Sequence, residues 1–256
     1  LSPDGAAWLT ALAFGAGTMA WPHARTFFSE PLAALFMLGA FYVADGGEGR
    51  PSPRRALASG TLFALALLTR LDSLFLLPGL ALFLILRHLE SRGGGKEPVF
   101  VGTAQEGLRR LFSRRFLLVA LAAALPLAAV IAYQLILNKV LFGGATESAY
   151  ADQTEGIRFS TPLLAGLYGF LFSVGKSVFL FSPALVLGLA GWRVLGRRDP
   201  SLALSLGAAV LMGLLLHARW QNWSGGWDWG PRHVYQLHAF AMVPAAALFA
   251  AGWSRL

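Results

Sequence analysis

Arg219 to His233 reads RWQNWSGGWDWGPRH and lies between two long apolar runs. It holds Trp220, Trp223, Trp227 and Trp229, four of the chain's eight Trp, with Gly-Gly, Arg219, Asp228, Arg232 and His233 around them. Trp favours the membrane–water interface, where its ring is half buried and its N–H stays wet. Trp and Arg also stack on sugar faces and grip phosphates. A short loop so loaded, beside a bilayer, suits a polar ligand attached to a lipid.

Two shorter segments carry comparable chemistry. In Pro22–Pro31 (PHARTFFSEP), Ser29 is a candidate cap for the helix that starts with Glu30 and Pro31. The same segment reads equally as a site edge that uses Glu30. A cap has no need of Arg25. In Thr69–Ser73 (TRLDS), Arg70 and Asp72 form a pair that closes a tight turn, or Arg70 faces an anionic headgroup while Asp72 orients it. These two readings are compatible. For Arg219–His233 an aromatic belt explains one or two Trp. It does not explain four Trp together with Asp228, Arg232 and His233, so the site reading is preferred there.

The elements that must position these residues are membrane helices. The chain has 256 residues, 56% hydrophobic and 13% charged, with mean hydropathy +0.58. A soluble domain carries roughly 25% charge. The apolar runs are long enough to cross a hydrocarbon core about 30 Å thick as helices, with snorkelling at the shorter ones. Eight spans are expected, near 5–21, 30–44, 56–70, 72–87, 116–137, 177–192, 201–217 and 234–253. The predicted class is an all-α polytopic bundle forming one transmembrane domain over 1–256.

Parity decides the 56–87 stretch, which Arg70 and Asp72 interrupt. One span would place 45–55 and 88–115 on opposite sides, although both are basic. Two spans with a turn at Thr69–Ser73 place both inside. The inner loops and C-terminus then hold 14 of the 21 Lys and Arg, and the outer loops hold 7. That bias puts both ends of the chain in the cytoplasm. It gathers His23, Arg25, Glu30, Arg70, Asp72, His217, Arg219, Asp228, Arg232 and His233 at the outer face. Charges at span ends require a partner or a ligand.

The remaining features are weaker signals. Net charge is +8, without a basic run on a soluble domain, so nucleic acid is not an expected partner. There is no Cys, which excludes disulfides and thiolate metal sites. His217, His233 and His238 lack the spacing of a helical ligand pair, so no metal site is assigned, although a divalent metal is left open. No cofactor is expected. Asn222-Trp223-Ser224 fits a glycosylation pattern by chance in a loop this close to the membrane. In 88–115, Leu108, Leu111 and Phe112 among basic residues indicate a short surface helix, and Leu163 to Val174 indicates a second one over the outer face. Glu147, Tyr150, Asp152 and Glu155 read as solvated, in a segment that also carries Arg158. The chain starts at Leu1 without a signal-peptide pattern, and a fragment lacking its N-terminus is expected.

The order SEPLAALFMLGAFYVA, LLTRLDSLFLLPGL, FSTPLLAGLYGFLFSVGKSVFLFSPAL and WSGGWDWGPRHVYQL resembles bacterial polyprenyl-phosphate-dependent glycosyltransferases of the GT-C superfamily. The likeness is to the protein O-mannosyltransferase and aminoarabinose-transferase group, and it runs along nearly the whole chain. The resemblance implies an extracytoplasmic active site, in a bacterial plasma membrane, and a sugar donor on a polyprenyl-phosphate carrier. It implies a catalytic Asp in a first external loop. No residue here matches that Asp, so the base is expected to precede Leu1 and stays unassigned. By resemblance Glu30 is the charged residue opening a later span, Arg70 the basic residue of the tight outer turn, and Arg232 with His233 the start of a late span.

The expected ligand-binding set is therefore Arg25, Glu30, Arg70, Asp72, Arg219, Trp227, Asp228, Arg232 and His233. Partners are a polyprenyl-phosphate-linked sugar and membrane lipids, with the acceptor and the sugar open. Two other classes compete. A lipid-linked glycan transporter should show repeat symmetry or paired broken helices, and neither is visible. A non-catalytic scaffold has no need of outer Arg and Trp clusters.

Overall fold

The computed structural model describes residues 2–46, 51–91, 99–100, 103–147 and 159–252. Among them the chain is all-α apart from a minimal antiparallel ladder, β1 (Glu90–Ser91) with β2 (Val99–Phe100). The helices are α1 (Pro3–Gly17), α2 (Ala20–His23), α3 (Glu30–Asp45), α4 (Pro53–Thr69), α5 (Leu77–Leu89), α6 (Ala104–Leu111) and α7 (Arg114–Phe142). They continue as α8 (Leu163–Phe172), α9 (Val178–Phe181), α10 (Leu185–Arg198), α11 (Pro200–Arg219) and α12 (Tyr235–Ala251). Short 3-10 turns at Leu71–Leu76 and Arg232–Val234 lead into α5 and α12.

Four segments are long and apolar enough to cross a membrane: Leu71–Leu89, Arg114–Phe142, Pro200–Arg219 and Arg232–Ala251. This is an integral membrane protein. The helices at the other four expected spans are shorter, 15 residues in α1, 16 in α3, 17 in α4 and 14 in α10.

The expected turn at Thr69–Ser73 is a chain reversal. Arg70 is extended (φ −154°, ψ 121°) between α4 and the 3-10 turn. Asp45, at the end of α3, pairs with Arg87 near the end of α5, and Glu30, at the start of α3, pairs with Arg70. The α3 and α5 axes therefore run in the same sense, and α4 returns between them. Some expected bounds shift. The run expected at 116–137 is the 29-residue α7, and the span expected at 177–192 is broken at Ser182 and Pro183, so α10 starts only at Leu185. Pro183 has no N–H to give a helix, which explains the break.

Helices in lipid gain little from hydrophobic exclusion and associate by close packing of small residues. Gly188 and Gly191, one turn apart on α10, lie against the Ala241 and Pro244 carbonyls of α12, and a Cβ at either would overlap that backbone. Gly60 of α4 meets the Ala123 carbonyl of α7 in the same way. The most enclosed helix is α12, which α1, α3, α10 and α11 surround. Residues attached to its first turn are therefore held by a rigid element. By contrast α7 buries only Val119, Ala123 and Asn138 and flanks the bundle.

Candidate functional site

The start of α3, the α4–α5 reversal and the start of α12 meet at one end of the bundle, and each brings a charged side chain. Glu30 is 1% exposed. Its Oε1 accepts from Arg70 Nη1 at 2.7 Å and lies 3.5 Å from Arg232 Nε. Two guanidiniums thus converge on one buried oxygen. Ser29 precedes α3 but makes no side-chain cap bond, so the capping expectation does not hold. Its hydroxyl instead accepts a long bond from Arg70 Nη1 at 3.4 Å. The physical reason is its backbone, already helical at φ −79° and ψ −14°, whereas a capping residue is extended.

Arg70 also grips Asp72 with both edges of its fork, Nε to Oδ1 at 2.9 Å and Nη2 to Oδ2 at 2.6 Å. Asp72 Oδ1 accepts from Gln236 Nε2 at 3.3 Å, and Oδ2 lies 3.4 Å from His217 Nε2. His217 Nδ1 meets the Gly213 carbonyl at 2.7 Å, so both of its ring nitrogens face acceptors. Asp72 consequently ties the reversal to the end of α11 and the start of α12.

The Trp-rich loop closes over this cluster. Arg232 Nη1 forms an ion pair with Asp228 Oδ2 at 2.7 Å, and its guanidinium lies 4.8 Å from the Phe28 ring centroid. Gly225, Gly226 and Gly230 all have positive φ, which lets the chain double back sharply. Lys176, between α8 and α9, donates to the carbonyls of Gly226, Asp228 and Gly230 at 2.9, 2.9 and 3.0 Å. Burial pulls the Lys176 ammonium below its ordinary value, Asp228 opposes that shift, and Arg232 adds to it. The ammonium uses all three of its donors on one loop.

Several polar atoms here are buried without a hydrogen bond among the described residues: Glu30 Oε2, Arg232 Nε, Gln236 Oε1 and both ring nitrogens of His233. His233 packs against Trp220 at 4.5 Å and faces His217 at 6.4 Å between ring centroids. Donors and acceptors are thus left over on one small surface. Buried polar groups normally find a partner, so a ligand or water is called for.

Glu30, Arg70, Asp72, Asp228, Arg232 and His233 therefore form one contiguous cluster. Three expected residues stand apart. Arg25 is exposed beyond α2 and makes no ion pair among the described residues. Arg219 donates to the Phe159 carbonyl at 2.8 Å and helps hold the strand of chain entering α8. Trp227 is fully exposed. The four Trp divide: Trp220 and Trp223 face inward, against His233 and Phe170, while Trp227 and Trp229 face outward, as a belt would.

Sequence reasoning missed Lys176, Gln236 and the ring contact from Phe28. Gln236 had a signal, being a polar residue one helical turn after Arg232 in an apolar run. Lys176 had none, because its acceptors are backbone carbonyls fifty or more residues away in sequence. Both expected surface helices exist as α6 and α8, and α8 lies against the end of α11. Of the residues expected to be solvated, Tyr150, Asp152 and Glu155 lie outside the described set. Among the described residues no group of three His, Asp or Glu is placed to hold a metal ion.

Fold and cluster together define a predominantly helical membrane protein with a half-buried two-arginine, three-carboxylate centre, built around the buried Glu30, at one end. Compared with protein families, with curated proteins and with solved structures, the chain gives no match in any of the three.

Proposed function

We propose that this chain belongs to an integral-membrane glycosyltransferase of the GT-C type, which moves a sugar from a polyprenyl-phosphate carrier to an extracytoplasmic acceptor in a bacterial plasma membrane. The observation that carries the reading is the convergence of Arg70 and Arg232 on Glu30 Oε1, with the Arg232 Nε–H left without a hydrogen bond. In the transfer an acceptor oxygen bonds to the anomeric carbon while the bond from that carbon to the carrier phosphate breaks. The acceptor proton goes to a base, and the carrier leaves as a phosphate anion. Preorganised guanidiniums are what such a leaving group requires. Arg232 Nε and the exposed edge of Arg70 would hold the phosphate. The outward Trp227 and Trp229, with Leu164, Tyr168 and Phe172 of α8, offer apolar surface to a polyprenyl chain at the same end.

In this reading the shorter helices α1, α3, α4 and α10 also cross, giving eight passes with both ends in the cytoplasm. Arg70 and Arg87 support it. They are 17 residues apart on one nearly continuous helical run, roughly 26 Å by helical rise, close to the thickness of a hydrocarbon core. On this reading the two arginines stand near opposite membrane edges. Glu30, Asp72 and Asp228 are engaged by arginine, so the base is not assigned to them.

Undecaprenyl phosphate itself is the probe, since it needs neither sugar nor acceptor. Purified protein in nanodiscs should retain it in preference to undecaprenol, and Arg232→Ala should lower that retention while Arg198→Ala, on the opposite end, should not. Equal retention of the phosphate and the alcohol would leave the cluster as a tie between helices.

A further inference from the structure

We infer that α6 and the first turn of α7 form a binding surface for acidic phospholipid headgroups, at the end of the bundle opposite the Arg70 cluster. The two elements are joined only by Phe112 and Ser113. Thr103 caps α6 by accepting from Glu106 N at 3.2 Å, and Ser113 caps α7 by accepting from Phe116 N at 3.2 Å. The joint therefore has a fixed geometry. Ser113 Oγ also lies 3.5 Å from His88 Nε2 and His88 packs on Phe116, which anchors the joint to the end of α5.

The surface offers both halves of a lipid contact. Leu108 and Phe112 are exposed, at 56% and 76%, beside a helix long and apolar enough to cross a membrane. Apolar side chains at such a helix end suit the headgroup–acyl boundary. Arg109, Arg114 and Arg115 are also exposed and have no ion pair among the described residues. Arg110 is the exception, bound to Glu106 at 2.7 Å. Arg114 and Arg115 sit in the first turn of α7, where the helix dipole disfavours cations, and no acidic residue there offsets them. Three arginines without an ion pair among the described residues, beside two exposed apolar side chains, match a negatively charged leaflet in charge and in amphipathic make-up. The inference does not depend on the glycosyltransferase reading.

The test uses the full chain in nanodiscs of phosphatidylcholine with a minor share of phosphatidylglycerol. Lipids retained on gentle detergent extraction are counted by native mass spectrometry. Wild-type protein should retain phosphatidylglycerol above its bulk share. Arg109→Gln, Arg114→Gln and Arg115→Gln should each lower the enrichment, by up to roughly fivefold per arginine. The triple Arg→Lys variant should keep it, which separates charge from folding. Undecaprenyl phosphate retention should survive the Gln changes, so the two sites fail independently. Absence of enrichment in the wild type, or full enrichment in the triple Gln variant, would overturn the inference.

Discussion

The two ends of the bundle each bury an arginine among carboxylates, yet they are built for different work. At the Arg87 end, one guanidinium that is 2% exposed meets Asp45 at 2.7 Å, Glu90 at 3.0 Å and Asp199 at 2.6 Å. Those acids come from the end of α3, the residue after α5 and the cap of α11. Ser201 donates to Glu90 as well. One cation there staples the ends of several helices. At the Arg70 end the ratio is reversed around Glu30, with two cations on one carboxylate, and Arg70 and Arg232 are 16% and 24% exposed. A staple gathers acids around one enclosed arginine. The proposed anion site brings two arginines to one point and leaves them partly open.

Arg87→Ala should do the greatest damage to folding. It leaves Asp45, Glu90 and Asp199 without their shared guanidinium, and breaking a buried ion pair of this kind destabilises by about 3–5 kcal/mol. Thermal unfolding in detergent should show a large loss, and Arg87→Lys should recover little of it, because an ammonium cannot serve three acids in fork geometry. Undecaprenyl phosphate should still bind to whatever folded fraction remains. A variant as stable as the wild type would remove the contrast between the ends.

Arg232→Ala should show the opposite pattern. Loss of a charge-assisted contact weakens phosphate binding by about 1.5–3 kcal/mol, roughly ten- to a hundredfold. The unfolding temperature should change less than in Arg87→Ala, since Glu30 keeps its shorter bond to Arg70. Arg232→Lys should recover part of the binding. If Arg232→Ala loses stability and keeps undecaprenyl phosphate, this end too is a staple.

The sequence makes one half of this comparison more legible than the other. Composition and the length of apolar runs indicate a helical membrane protein, because burial in lipid leaves the backbone few alternatives. Charge parity indicates the reversal at Arg70, and the structure places Glu30 and Asp72 on that same arginine. The Arg87 staple gives no comparable signal, since Asp45, Glu90 and Asp199 lie in separate polar stretches that look solvated. Loop contacts through backbone carbonyls, such as those of Lys176, are set by the path of the chain and not by residue type. The break at Ser182–Pro183 had its signal in Pro183, which the long apolar run around it outweighed.

Lys176→Met should have a smaller effect, confined to the Arg70 end. Its three carbonyl bonds are partly solvated, so the expected loss is about 1 kcal/mol. Backbone amides of Gly226 to Gly230 should exchange with solvent roughly five times faster, while amides within α12 keep their protection. Because the loop carries Asp228, which orients Arg232, undecaprenyl phosphate retention should fall by less than in Arg232→Ala. Unchanged exchange would show that the positive-φ glycines and the Trp220 and Trp223 contacts hold the loop without the lysine.

The smallest expected effect is a dependence on pH through His23. This residue is 2% exposed, stacks on Tyr235 at 5.0 Å and packs near Phe28 at 5.5 Å. Its Nδ1 donates to the Met19 carbonyl at 3.0 Å, which leaves Nε2 as a buried acceptor without a hydrogen-bond partner among the described residues. Burial lowers its proton affinity from the ordinary value of 6.5, and Arg232 contributes in the same direction. The Met19 bond, Glu30 and Asp228 oppose the shift without cancelling it. Between 6.5 and the lower folded-state value, the unfolded chain therefore holds more protons than the folded one. Stability is complete above that window and declines as pH falls through it. His23→Asn keeps an amide donor for the Met19 carbonyl and removes the titration. Unfolding temperatures compared between about pH 8 and about pH 5 should fall less steeply in the variant. Parallel curves for the two proteins would show that charging His23 is not what weakens the Arg70 end in acid.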